Sequence, residues 1–317
     1  MINRTLVRTK IVQNLFAFYK EGDSIPLSAR KSLLRSFSDT YSLYFQMLDF
    51  ANELTRYAER QIEEAESRAK ATHKEYVPSR RFVENRWAQQ VFENRALRKY
   101  VAEQNLNWDA GQSAVQSIYK KLLDSDFYKE YMYQRECTYE DDKRVWKKIY
   151  TLLLPGEEAL YDALEEMELA LDMQNWTVDV DLVLSYVIKS LKHFREDSTP
   201  EEPLLEMFDK EEELDFALEL QHQAIEHHDE YQAMIVNKLK NWDADRVAFM
   251  DFIILETALT EILNFPNIAV EVSMNEYIEI AKEYSGDKSH HFVNGILNEI
   301  LQEEKRKGTN MKLITLK

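Results

Sequence analysis

A chain of 317 residues has ample material for one large domain or two ordinary ones, but its six glycines never form G-x-G, so the loops that cradle dinucleotides and nucleoside triphosphates are absent. Leu, Glu, Lys, Ala, Gln and aromatics without alternating β-branched runs predict an all-α protein, and the net charge of −17 argues against unspecific polyanion binding while leaving local basic fields open. A single cysteine, Cys137, excludes internal disulfides and Cys-based zinc sites, and the lack of a long apolar run or signal-peptide core predicts a cytoplasmic protein without membrane contact.

The first predicted helix, "NRTLVRTKIVQNLFAFYK", is bare of acids until Glu21 and buries Ile11, Val12, Leu15, Phe16 and Tyr19. Arg4 and Arg8 extend that stripe towards the helix start, where the helix dipole disfavours cations, so an external anion is the expected partner. A long helix follows at about 28–71, then a break at Pro78 and helices at about 79–104, 110–135, 139–153, 157–174 and 178–195. "REDSTPEEP" (195–203) reads as a linker, and further helices are predicted at 209–239, 243–264, 273–285 and 289–306, ahead of a basic tail. The 273–285 helix is expected to start at a capping box, Ser273-x-x-Glu276, and to stop before Gly286. Asn-Trp recurs at 107–108, 175–176 and 241–242 with nearly equal spacing, for which a duplicated helical unit is one explanation.

Near the C-terminus, "SGDKSHHFVNGILNEIL" (285–301) raises a question. Val293, Ile296, Leu297, Ile300 and Leu301 form one buried helical face, yet Gly295 sits inside it and Phe292 lies at its edge. A close approach of another helix would explain the glycine.

Residues 241–301 resemble the C-terminal half of the NusB family of bacterial transcription antitermination factors. The resemblance rests on the Asn-Trp-x-x-x-Arg entry, "ILETALTEI", "MNEYIEIAKEYS" and, most specifically, "SHHFVNGIL". Residues 1–20, with Val12-Gln13 and Leu15-Phe16, are similar to the family's first helix. The implied architecture is a NusB-like bundle formed by 1–24 and 205–306, enlarged by packed helices from an insertion at 25–204, with a tail at 307–317. The implied function, without catalysis or cofactor, is to bind boxA-type single-stranded RNA with the ribosomal protein acting as NusE, in the RNA polymerase elongation complex. Arg4 and Arg8 would then hold phosphates, Lys288 would add charge, and Phe292, otherwise a core residue, would stack a base. Phe16 and Asp251 would meet NusE, and Asp251→Lys is expected to fold normally while binding NusE weakly.

The sequence also offers other readings. "SRRFVENRWAQQVFENRALRKY" (79–100) interleaves basic and aromatic residues as single-strand binders do, although the same pattern suits a core helix whose arginines pair with this chain's acids. A NusB-like domain also precedes certain RNA cytosine methyltransferases, but the Gly-rich cofactor loop is missing and Cys137 stands in the unrelated "QRECTYED". A protein-binding adaptor without RNA affinity fits the net charge. Glu219-x-x-His222 lacks the second such motif of a helical di-iron site, and His290 and His291 point about 100° apart, so no metal is expected.

Overall fold

The computed structural model describes residues 1–22, 25–71, 78–239, 247–286 and 288–307. Among them are fourteen α-helices: α1 (Arg4–Lys20), α2 (Pro26–Ala71), α3 (Arg86–Glu93), α4 (Arg95–Glu103), α5 (Gln112–Asp124), α6 (Asp126–Tyr133), α7 (Tyr139–Lys148), α8 (Glu158–Leu171), α9 (Trp176–His193), α10 (Glu211–Glu226), α11 (His228–Lys238), α12 (Phe249–Asn264), α13 (Val270–Tyr284) and α14 (Ser289–Lys307). The all-α expectation holds, the only strand-like feature among these residues being an isolated bridge between Ile2 and Phe208. The chain divides into two units, Met1–Phe37 with Met207–Lys317, and Ser38–Glu206.

The first unit is built around α12. In its sequence "FMDFIILETALTEILN" the polar residues Glu256, Thr257, Thr260 and Glu261 share one face, yet every residue from Ile253 to Ile262 is buried. A helix buried all round needs cover on every side, apolar against its apolar face and hydrogen-bonding against its polar one. That cover comes from α1, α10, α11, α13 and α14, each of which packs against it. Three carboxylates, Asp251, Glu256 and Glu261, are buried on this helix, and burying them unpaired would be prohibitive. Their partners organise the candidate site.

Within α1, Asn3 caps the start by accepting from the Leu6 amide at 3.0 Å, and Leu6, Val7, Ile11, Val12, Leu15 and Phe18 are buried. The α13 helix begins at Val270, not at Ser273. Ser273 lies inside it, buried, donating its hydroxyl to Glu261 Oε1 at 2.6 Å, so the expected capping box does not operate. In α14 the apolar face forms as expected from Val293, Ile296, Leu297, Ile300 and Leu301. Gly295, however, is not a point of close approach, because a Cβ built there meets no atom within 4 Å. Gly295→Ala is therefore expected to stabilise the protein by about 0.5–1 kcal/mol, through lost freedom of the unfolded chain and better helix propensity, read as a higher midpoint in urea unfolding.

The second unit has an aromatic core in which Trp146 packs on Phe82 (5.3 Å between centroids) and Trp87 (5.5 Å). Several predicted helices are interrupted here. Asn94 adopts an extended conformation between α3 and α4 and caps the latter through the Leu97 amide, and Ser125 likewise separates α5 from α6. One extended residue leaves the apolar period almost intact, which is why the break is invisible to periodicity. The segment 195–203 is not a loose linker. Gln90 Nε2 donates to the carbonyls of Arg195 (2.8 Å) and Glu196 (3.3 Å), Asn94 Nδ2 to that of Glu202 (2.8 Å), and the Arg95 amide to that of Pro200 (2.9 Å). The two described Asn-Trp pairs have different settings. Trp108 precedes α5 and packs on Phe50, whereas Trp176 opens α9 and donates to the Asp39 carbonyl at 2.8 Å. The pair at 241–242 and the tail from 308 lie outside the described residues.

Candidate nucleic-acid interface

The three acids of α12 serve as a ruler for the site. At its C-terminal end, Glu261 accepts from Arg8 Nε at 2.7 Å and Arg8 Nη2 at 2.8 Å, a bidentate pair. Tyr277 OH donates to the same carboxylate at 3.0 Å and Glu276 approaches Arg8 Nη1 at 3.4 Å. Arg8 is 3 % exposed. The expected phosphate contact is thus corrected: the anion that Arg8 meets is internal, 253 residues away in sequence. Arg4, one turn earlier, is half-exposed, with Nε 3.2 Å from Glu213 Oε2 and its guanidinium 4.9 Å from the centre of the Phe216 ring.

Midway along α12, Glu256 accepts from Tyr19 OH at 3.1 Å and Gln232 Nε2 at 3.0 Å, and lies 2.9 Å from His228 Nδ1. Tyr19 stacks on His228 with ring centres 4.2 Å apart. The hydrogen bond to Glu256 holds the His228 pKa above its ordinary 6.5, against the opposing effect of burial. A folded-state pKa above the unfolded one means that His228 contributes stability fully below about pH 6.5 and loses it as pH rises through the folded value. His228→Asn should therefore flatten the fall in urea midpoint between pH 6 and pH 8, and an unchanged slope would remove this pair from the pH response.

At the N-terminal end, Asp251 is 4 % exposed and accepts from Ser285 Oγ at 2.7 Å and Ser289 Oγ at 3.0 Å. Burial raises its pKa while the two hydroxyls oppose the shift. Asp251 is accordingly a tie between α12 and the α13–α14 junction, and the expectation that it faces a protein partner is corrected. Phe292, 7 % exposed, belongs to the buried face of α14, so no base can lie flat on its ring. Lys288, beside Ser289, is exposed as expected.

This end also joins Phe16 to Phe249 and Lys20, two residues that sequence reading missed. Phe16, half-buried on α1, lies 5.4 Å from Phe249, which is 43 % exposed at the start of α12, and Lys20 Nζ stands 5.3 Å from the Phe16 ring centre. Cation and exposed aromatics together are what an unpaired base and its phosphate require. From Asp251 to Glu261 the rise is about 15 Å, at roughly 1.5 Å per residue. The structure thus brings Phe16, Phe249, Lys20 and Lys288 to one end of α12 and leaves Arg4 and Arg8 at the other.

In the arginine-rich stretch 79–100 the core-helix reading holds for most positions but not for Phe92, which is 50 % exposed with the Arg56 guanidinium 6.0 Å from its ring centre. Phe82 and Trp87 are core, while Arg80 pairs with Glu59 (2.7 Å), Arg86 with Asp142 and Glu196 (both 2.6 Å) and Arg95 with Glu201 (2.7 Å). Cys137 donates to Asp142 Oδ1 at 3.3 Å, and burial with that carboxylate pushes its thiol up to about 11, the reverse of an activated nucleophile. Among the described residues no group of three or more His, Cys, Asp or Glu is arranged to hold a metal, and no helix is long and apolar enough to cross a membrane.

The described residues thus form an all-helical protein whose buried acids are paired within the packing and which exposes an aromatic and cationic group at the start of α12. The NusB family profile matches residues 181–302. Similar proteins include the transcription antitermination protein NusB of Bacillus subtilis (strain 168), 44% identical over 92 residues that make up 29% of this chain and 70% of that protein. Another is the transcription antitermination protein NusB of Geobacter sp. (strain M21), 40% identical over 121 residues, 38% of this chain and 82% of the relative. The chain belongs to the NusB family, whose members are not enzymes. No solved structure matches it.

Proposed function

We propose that this protein is a transcription antitermination factor that binds boxA-type single-stranded RNA together with the ribosomal protein acting as NusE, within the RNA polymerase elongation complex. Family membership and the names of the relatives support the role. The observation that carries the RNA reading is the exposed Phe249 with Phe16 and Lys20 at the start of α12, where Ser289, the neighbour of exposed Lys288, bonds Asp251. In this reading a base stacks on Phe249, Lys20 and Lys288 hold phosphates, and half-exposed Arg4 lies further along the strand's path or stays with Glu213. Phe16, shared between α1 and the aromatic pair, borders the surface offered to NusE.

The burial of Arg8 and Phe292 favours a second reading, a protein-binding adaptor without RNA affinity, because it withdraws two of the expected RNA contacts. Pull-down of a boxA-like strand and a scrambled strand, with and without NusE, separates the two. Selective capture of the boxA-like strand in the presence of NusE is the expected result. NusE capture with no RNA retained above the scrambled control would establish the adaptor.

A further inference from the structure

On the α8–α9 hairpin, Leu169 is 87 % exposed, and Val178 and Leu182 are exposed one turn apart on α9. Val178 and Leu182 share one stripe of α9, and Leu169 shares its stripe of α8 with Glu158, Asp162 and Glu165. Glu168 accepts from the backbone amides of Trp176 and Thr177, setting Leu169 beside the first turn of α9, and Tyr161 OH donates to Asp181 Oδ1 at 3.0 Å further along. Exposed apolar side chains gathered in this way mark contact surfaces more often than isolated ones do.

The surroundings specify the occupant. Between Ile149 and Ile188 the sequence holds nine acidic residues and not one lysine, arginine or histidine. Glu157 is drawn inwards to Lys121 and Ser117, and Asp179 is buried. Glu158, Asp162, Glu165 and Glu166 are exposed on α8, and no salt bridge among the described residues joins any of them to a cation. An apolar face rimmed by carboxylates repels RNA and anionic lipid, and repels a second copy of itself. It complements a basic segment that carries its own apolar side chains.

We infer that the α8–α9 face is a docking surface for a basic, amphipathic protein segment, with leucine-like side chains seated on Leu169, Val178 and Leu182 and lysines or arginines over the α8 carboxylates. This surface is distinct from the aromatic group at the start of α12. RNA binding there can fail without affecting it.

The test uses the full chain and two synthetic helical peptides of equal positive charge, one with a leucine face and one with serines in place of the leucines. Fluorescence anisotropy across a salt series is expected to show the leucine peptide binding at least tenfold more tightly than the serine peptide. Leu169→Ser with Leu182→Ser should remove that advantage and keep the salt dependence, whereas Glu165→Gln with Glu166→Gln should reduce the salt dependence. Amide exchange should slow in α8 and α9 when the peptide is bound. Equal binding of the two peptides would mean mere counter-ion attraction and overturn the inference. Protection elsewhere in the chain would also overturn it, as would self-association abolished by the leucine substitutions, which would make the occupant a second copy. All four substitutions are at exposed positions, so circular dichroism and melting should remain as in the parent.

Discussion

Arg8→Ala should unfold at a much lower denaturant concentration than the parent, with a loss of about 3–5 kcal/mol, the range for stripping one partner from a buried ion pair. The cost arises on the other side of the pair. Glu261 is fully buried and would keep only the hydroxyls of Ser273 and Tyr277 as donors. Replacing Arg8 and Glu261 together, by Met and Leu, should restore part of the loss because no charge is then left unpaired. Had Arg8 been a phosphate ligand, the single substitution would leave the melting temperature unchanged and reduce the salt slope of RNA binding by about 0.7. Equilibrium unfolding and a salt titration on the same variant therefore distinguish the two roles.

Asp251→Lys is expected to be at least as damaging. The carboxylate lies between Ser285 and Ser289 where α12 meets the α13–α14 junction, and an ammonium placed there has no acid to meet among those partners. Burying an uncompensated charge of the wrong sign costs several kcal/mol, so about 3–5 kcal/mol or failure to fold is the expected outcome. Asp251→Asn keeps the shape and one acceptor and should lose only about 1–2 kcal/mol. A stable, soluble Asp251→Lys protein with a parent-like melting temperature would show that the side chain is free to turn outwards and would return it to the partner surface.

How much of this was legible in the sequence depends on whether the signal is local. Helical periodicity located the helix cores, because apolar spacing is written in consecutive residues, but it failed at Asn94 and Ser125, where a single extended residue ends one helix and caps or precedes the next, and at His227, which separates α10 from α11 inside the expected 209–239 helix. The family motif "SHHFVNGIL" was correctly recognised, but its residues work differently from expectation. Ser289 ties down Asp251, Phe292 packs, and Gly295 touches nothing. The two glutamates inside the apolar run "ILETALTEIL" were the overlooked clue. Acids on a helix that is buried on every side demand buried donors, and that demand points to cations and hydroxyls elsewhere in the chain, which turn out to be Arg8, Tyr19, His228 and Tyr277. Which arginine answers which glutamate is a matter of tertiary packing and could not be read from spacing. The same limit applies to Phe249 and Phe292: both begin a helix's apolar face, and only the neighbouring helices decide that one is covered and the other exposed.

The central claim, that RNA is read at the start of α12, is tested most directly by the affinity of the NusE-bound Phe249→Ala protein for a boxA-like strand, measured over a salt series. The account predicts a loss of about 1–3 kcal/mol, the worth of one stacked base, with the salt slope nearly unchanged and the melting temperature of the free protein close to that of the parent. Wild-type affinity of a folded Phe249→Ala variant would contradict it and place the RNA site elsewhere on the molecule.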